Sequence, residues 1–466
     1  MPTPGPRRRW LRWGIVAVAV LLLALGSTAA VVLLHSPGNV SHPGLSFTHS
    51  TTSTTPRPVV NDFEWPRYGY DAGRTRVFPG AGGLTPPFRT GWSYNDFALV
   101  EFPPVIYQNT LYLIDDTGSA KAIDKHTGQL LWKYRLGTLA AASPAVGVRE
   151  GLVFMPLLST NPGAGQNPGN GRIVALSMRT GKIAWARPVG PGTESSPLVW
   201  GSTLYFGDQN GTVYSLRARD GHVNWTYHAS GAVKGGPAYS RGVIFFGDYS
   251  GRAYAVNADT GREVWAVSSN GAHFGFGSGQ FYSPPAVAFG RVYMGNTDGR
   301  VYSFAERTGQ LDWATGTGAY VYASAAVADT PGLGPTVYVG SYDGNMYAFN
   351  AQSGAVRWSH GAGGKISGSG TIVAGILYFS VLGSKTTHGL NARTGQQVFS
   401  FPDGAFNPVI CDSSAIYLTG YTTIYQMLPK RGSAPPPGGV GGALSAGAGS
   451  ARTGLFGGEL PQNRRK

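Results

Sequence analysis

The sequence predicts an all-β fold: an eight-bladed β-propeller of four-stranded antiparallel blades, its ring closed by an N-terminal outer strand and preceded by one transmembrane helix. Three observations carry this prediction. A turn and a short strand ending in a large aromatic recur at Trp132, Trp185, Trp225, Trp265, Trp313 and Trp358, with Phe399 in a seventh copy, at spacings of 40 to 53 residues. Repeats of roughly 40–45 residues with four short strands each are the signature of propeller blades. The composition, with 70 glycines and only 13% charged residues, suits a turn-rich β body. No stretch of the repeat region sustains a helical period.

Residues 243–265, VIFFGDYSGRAYAVNADTGREVW, show how a unit is built. The apolar run from Val243 to Phe246 is a strand, and GDYSG closes a hairpin in which Gly251 can take positive φ. Arg252 to Val256 alternates polar and apolar, NADTG makes a second turn, and the chain leaves as an outer strand ending at Trp265. Such a meander cannot bury both faces alone and requires neighbours of its own kind. An apolar strand precedes the first turn of each unit, at Leu111, Val153, Leu204, Ile244, Val292, Val337 and Leu377. One more, at Ile416, Tyr417 and Leu418, lacks a tryptophan turn after it, while Arg89, Thr90, Gly91 and Trp92 make an outer strand with no blade before it. Joining the two gives eight blades, with seven as the competing count, and removes the open sheet edge at the closure.

In chain order, residues 1–13 form a basic tail carrying Arg7, Arg8, Arg9 and Arg12. Residues 14–34 are free of charge and long enough to cross about 30 Å of hydrocarbon. The expected reading is an uncleaved single-pass anchor in a cell membrane, and a cleaved signal peptide is the rival. The arginines place the N-terminus in the cytoplasm and the propeller outside. Residues 35–60, rich in Ser, Thr and Pro, are expected to be a solvated stalk. The propeller occupies 61–429, and 430–466 is a Gly/Ala/Pro-rich basic tail expected to be disordered.

The net charge of +14 belongs mainly to the ends. Without Arg57 and the two basic tails, 26 Lys and Arg face 22 Asp and Glu. That balance lacks the clustered basic face of a nucleic-acid-binding body. Cys411 is the single cysteine, so no intrachain disulfide can form. Its place on an inner strand suits a small buried hydrophobe.

The tryptophan turns resemble the quinoprotein-type, pyrroloquinoline-quinone-repeat β-propeller family, whose unit reads A-x-[DN]-x-x-T-G-x-x-x-W. Ala255, Asn257, Thr260, Gly261 and Trp265 match in full, as do Ala122, Asp124, Thr127, Gly128 and Trp132. Other copies depart from it, with Ser177, Arg217 and Ala305 at the Asp/Asn place and Asp220 and Ser353 at the Thr. The resemblance implies that each aromatic, including Trp92 and Phe399, packs between neighbouring blades with the Thr-Gly turn positioning it. It also implies two classes of activity. One is quinone-dependent dehydrogenases, which bring an adjacent-cysteine disulfide, a calcium site and a catalytic aspartate. The other is non-enzymatic members, such as the lipoprotein that scaffolds the outer-membrane β-barrel assembly machine. One cysteine excludes that disulfide, and no Asp/Glu/Asn cluster can be assigned to calcium. The Asp-rich stretches at Asp115 and Asp116 and at Asn296 to Gly299 read as hairpin turns, which favour Asp, Asn and Gly.

A site is expected where loops converge on the channel. Six innermost strands begin near a proline, and the residues three before that mark should ring one mouth: Glu101, Ala141, Glu194, Lys234, Tyr282, Tyr322, Gly368 and Ala405. Two acids, a lysine and two tyrosines suit ligand contact, or satisfy one another around a water-filled channel. The long loop 269–280 adds His273, Phe274 and Phe276 near Tyr320 and Tyr322, either to grip a ligand or to cap the channel. The insertion at 159–171 reads as a surface tip.

The sequence carries no Ser-His-Asp order, no phosphate loop and no His-rich metal spacing, so no catalytic or metal-binding residue is expected. The expected function is a membrane-anchored extracytoplasmic binding, scaffold or sensor module, a monomer whose partner is another envelope or membrane protein or a cell-envelope polymer. Nucleic acid is not expected, and neither is a cofactor. Pyrroloquinoline quinone with calcium belongs to the alternative, a quinone-dependent oxidoreductase, and a polysaccharide-binding module is a third reading.

Overall fold

A computed structural model describes residues 38–48 except 43 and 46, residues 65–430 except 80, 81, 138, 159–169, 270–278 and 405, and residue 18. The segment 14–34 expected to span a membrane lies, but for residue 18, outside these. Among the described residues no helix is long and apolar enough to cross a membrane.

Eight antiparallel sheets of four strands each form the body. Blade 1 illustrates the plan: Val105–Tyr107 innermost, then Thr110–Ile114, Ser119–Asp124 and Leu130–Arg135 outermost. Blades 2 to 7 follow in order, with blade 4 at Ala238–Ser240, Val243–Gly247, Arg252–Asn257 and Glu263–Ser268. Blade 8 takes three strands from the C-terminal end, Val409–Cys411, Ile416–Thr419 and Thr423–Pro429, and its outer strand, Phe88–Asn95, from the N-terminal side. Thr90 pairs with Met427 and Tyr94 with Ile424, so the expected closure is the one observed. In six blades the innermost strand starts directly after a proline, as at Val105 after Pro104 and Ala286 after Pro285, where a missing N–H costs no ladder bond.

The aromatic of each blade lies on the turn of the next. Trp92 donates its indole N–H to the Lys125 carbonyl at 2.9 Å, Trp225 to Ala258 at 2.9 Å, and Trp265 to Glu306 at 3.0 Å. Each ring covers a glycine of that turn held at positive φ: a Cβ on Gly128 would meet the Trp92 ring at 2.7 Å, and one on Gly261 would meet Trp225 at 2.7 Å. The glycine is therefore required twice, for its backbone angle and for the space. The turn itself is an Asx turn, in which Asn257 Oδ1 accepts from the N–H groups of Asp259 and Thr260. Trp265 and Trp313 are buried, and the other repeat aromatics are half-buried. Phe399 stands where the rule breaks. In blade 8 the turn between the third and outer strands is replaced by the two ends of the propeller chain, so no turn carbonyl awaits an indole. The ring packs edge-on against Phe88 of the closing strand instead.

Both faces of the closing seam carry buried ions. Lys121 of blade 1 lies 2.5 Å from Asp96, which follows the closing strand, and also contacts Asp115. On the opposite face Lys125 pairs with Asp412 of blade 8 at 3.0 Å.

Two parts of the N-terminal region depart from expectation. The described part of the 35–60 stretch is not a free stalk. Val40–Ser41 pairs antiparallel with the outer strand of blade 5, Leu311–Gly316, and Phe47 stacks on Phe289. Trp313 owes its burial partly to this arm, because Ser41 lies opposite it.

Residues 65–78, expected only as part of the 61–429 propeller, fill the channel as a plug. Innermost strands offer N–H groups to the channel that no neighbouring strand can accept. The plug accepts six of them on its carbonyls: Ile106 on Trp65, Val146 on Pro66, Tyr239 on Ala72, Val287 on Gly73, Val327 on Thr75 and Ile372 on Arg76, at 2.7 to 3.0 Å. Arg67 donates to Val199 of blade 3 at 3.3 Å. Trp65, Tyr70 and Phe78 pack in one cluster with Ile410 and Cys411 of blade 8, which leaves that thiol a buried hydrophobe.

Candidate functional site

The plug closes one end of the channel and leaves a cup at the other. The cup opens on the mouth face, where the chain passes from each outer strand to the next innermost one and where the second and third strands turn. Its floor is Tyr68 and its wall carries Glu101, Glu194, Lys234 and Tyr282. Gly368 lines it as well, beside Ser369 and Asn407. Tyr322 reaches the same wall through Tyr282, the two rings edge to face at 5.4 Å, and Tyr320 stands on the rim, 54% exposed. His273, Phe274 and Phe276 lie outside the described residues, as does Ala405.

Glu194 is the hub of the wall. Its Oε1 accepts from Lys234 Nζ at 2.9 Å and Gln209 at 2.8 Å, and its Oε2 from the Tyr282 hydroxyl at 3.4 Å. Glu101 has no hydrogen bond or ion pair among the described residues. Burial, then the charges of Glu194 and Asp116, push its carboxyl up to about 7. Burial and Glu194 likewise hold the Tyr249 and Tyr282 phenols far above the ordinary range, so both stay neutral donors. Behind the floor, Arg76 stacks on the Tyr68 ring with its guanidinium carbon 4.1 Å from the centroid. Arg74 donates to the carbonyls of Pro237, Tyr68 and Ser196 at 2.6 to 2.8 Å. Among the described residues no carboxylate pairs with it, and burial followed by the neighbouring Arg76 lowers it to about 9.

Sequence reasoning missed Tyr249 and Tyr342. They extend the tyrosines into an arc, with Tyr249 against Tyr282 at 6.0 Å and Tyr342 against Tyr322 at 4.8 Å. Lys234 lies over Tyr249 and Lys365 over Tyr342. The signal was present: both follow the first strand-turn position in GDYSG and SYDG, an aromatic in equivalent hairpins. The Asp residues of those hairpins are consumed by the turns. Asp248 Oδ1 accepts from the N–H groups of Ser250 and Arg252, and its Oδ2 from the Tyr254 hydroxyl.

The cup can therefore hydrogen-bond, stack and exchange one proton near neutrality. A carboxyl at about 7 has the pKa of a general base, but no nucleophile among the described residues is within hydrogen-bond distance of it. Because the folded-state value lies above the ordinary 4.5, the native protein holds a proton that the unfolded chain has lost across that interval. Stability therefore falls as pH rises from about 4.5 to 7. Glu101→Gln should melt above the parent beyond pH 7, by at most about 3 kcal/mol, and converge with it below pH 4.5. Melting curves across that range check this, and an unchanged difference at all pH values would refute it.

The chain matches the family described as outer membrane protein assembly factor BamB over residues 89–231, 169–319 and 323–431. It belongs to this family of pyrroloquinoline-quinone-repeat β-propellers. Among solved structures, BamB from Moraxella catarrhalis superposes with a TM-score of 0.59 at 18% identity, covering 73% of this chain and 100% of that one. Quinohemoprotein alcohol dehydrogenase from Comamonas testosteroni gives 0.63 at 13% identity, covering 80% and 81%. These likenesses establish the fold alone. A 1-butanol dehydrogenase (cytochrome c) of Thauera butanivorans is 30% identical over 139 residues, 27% of this chain but only 18% of that protein's length.

Relatives of this fold include a quinohemoprotein alcohol dehydrogenase, whose quinone cofactor makes demands on a cup of this kind. Pyrroloquinoline quinone is a polycarboxylate, and the wall presents two glutamates with one lysine already paired to Glu194. The arginines that could meet an anion are spent on carbonyls or screened by Tyr68. Among the described residues, this donor set does not fit an anionic quinone.

Proposed function

We propose that the chain is a membrane-anchored extracytoplasmic binding module, a scaffold or sensor whose partner, a protein of the envelope or membrane, engages the mouth face. The observation that carries this reading is the tyrosine arc around a blind cup: hydroxyl groups and stacking faces, backed by lysines, with no reacting dyad among the described residues. Aromatic residues of this kind dominate interface energetics. Kinship with an assembly factor supports a protein partner over a small substrate. The oxidoreductase alternative draws its support from the local identity to the 1-butanol dehydrogenase.

A photo-crosslinking residue at Tyr320 is expected to yield discrete protein adducts in native membranes, and one at Val148 on the opposite face none. Tyr322→Ser with Tyr342→Ser should abolish the adducts while leaving the melting temperature nearly unchanged, since both lie at the rim. Adducts from Val148 alone would move the binding surface to the other face. A saturable spectral complex of the purified protein with pyrroloquinoline quinone and calcium would favour the oxidoreductase.

A further inference from the structure

The route of the N-terminal arm fixes which face of the propeller the apolar segment 14–34 can reach. Along blade 5 the arm runs antiparallel to the outer strand, Val40 opposite Ala314 and Ser41 opposite Trp313. That outer strand ends on the mouth face at Gly316, and there Asn39 Oδ1 accepts from the Gly316 N–H at 2.9 Å. Gly38 accepts on its carbonyl from Arg300, the first residue after the mouth-face hairpin turn of the same blade, at 3.1 Å. Toward the opposite face the arm continues to Thr48, whose N–H donates to Phe289 in the turn after the innermost strand. The chain entering blade 5 from the apolar segment therefore arrives at the rim of the cup side. Three residues, His35, Ser36 and Pro37, separate Leu34 from Gly38. Fully extended, these four steps span about 14 Å.

We infer that the mouth face rests on the bilayer in which residues 14–34 are embedded, so that the cup opens toward the lipid surface. This rests on the anchored reading proposed above and says what that reading left open, namely which way the propeller faces. A tether at one rim would also allow the propeller to stand on the edge of blade 5. The face itself selects against that. Phe97, in the loop entering blade 1, stands 89% exposed at φ +60°, across the ring from blade 5 in an eight-bladed circle. Tyr320 is 54% exposed beside the tether, and Lys365 and Lys385 are exposed on the same face. Aromatic and lysine side chains are the ones enriched at the membrane–water boundary, with rings at headgroup depth and cations reaching phosphates. Contact at both the blade 5 rim and Phe97 lays the mouth flat. A partner of the cup then has to be reached within the membrane plane or from the headgroup layer.

The test uses the full chain in phosphatidylcholine–phosphatidylglycerol vesicles doped with a lipid carrying a nitroxide on its headgroup. Cys411 is buried, so a thiol dye reports on one added surface cysteine, placed as Phe97→Cys or, on the opposite face, as Val148→Cys. The label at 97 should lose most of its emission to the nitroxide lipid, and the label at 148 should keep it. Equal quenching at the two positions, or stronger quenching at 148, overturns the orientation. An alkaline carbonate wash separates the two failures. A chain that washes off has no anchor and the inference falls with it, whereas a chain that is retained with label 97 unquenched loses the orientation alone.

Discussion

Replacing Trp313 by alanine is expected to lower folding stability by about 3–5 kcal/mol, the range for a fully buried large aromatic. The ring is completely shielded, its indole N–H reaches the Ala351 carbonyl at 2.9 Å, and it lies on Gly354 of the following blade. Deletion would leave a cavity between blades 5 and 6, with the Tyr293 hydroxyl at 3.2 Å as the remaining donor to the Ala351 carbonyl. Trp132, which makes the same hydrogen bond at 3.0 Å but stays half-exposed, should cost less on the same substitution. Trp92→Ala should fall between them, because it opens the contact from the closing strand to blade 1. Urea midpoints for the three variants rank them, and equal shifts would mean that the arm over blade 5 adds nothing to the burial of Trp313.

Lys121→Met should be comparably damaging, about 3–5 kcal/mol at neutral pH, by stranding buried carboxylates without their counter-ion. Asp96 and Asp115 both face the ammonium, and none of the three side chains is open to solvent. Burial already lifts Asp96 to about 6 against the pull of Lys121. Burial also works to raise Asp115, but Lys121, Thr117 and the Ser119 amide together hold it below the ordinary value. Without the lysine both folded-state values rise above those of the unfolded chain. The deficit is then largest where both carboxyls would ionise and shrinks as pH falls through the raised values. The gap between variant and parent should therefore narrow from pH 8 to pH 4. A constant gap would mean that the lost packing of the lysine stem, not its charge, sets the cost.

The sequence revealed the ring because the features that build it are local. An Asx turn, a left-handed glycine and an aromatic eight residues after the Asx each leave a residue-type signature, and the eight-blade count follows from matching Ile416 to Trp92. The phenylalanine of the seventh copy, Phe399, was legible as a deviation, but its cause was not. Only the pairing of Phe88 with Pro429 shows that Phe399 faces a seam without a turn. The wall residues Glu101, Glu194, Lys234 and Tyr282 could be placed by their common offset from the innermost strand. The plug could not. Its residues bond through backbone carbonyls, which any sequence supplies, so nothing in Trp65 to Phe78 announces the six strands it serves. Arg74 misleads in the same way: an arginine reads as a surface charge, yet here its donors match three carbonyls that the channel would otherwise leave bare.

That central segment changes what kind of polymer the propeller is. Repeat proteins whose units touch only adjacent units are held by a sum of neighbour terms, and they can fray from any weak unit. Here a short stretch of chain is bonded like a hub to seven spokes and packed against the eighth blade. No blade can swing outward without breaking its link to an element shared by all the others. Loosening at one interface is transmitted to the whole circle, so the ring should unfold as one body, although its sequence is written as separable repeats.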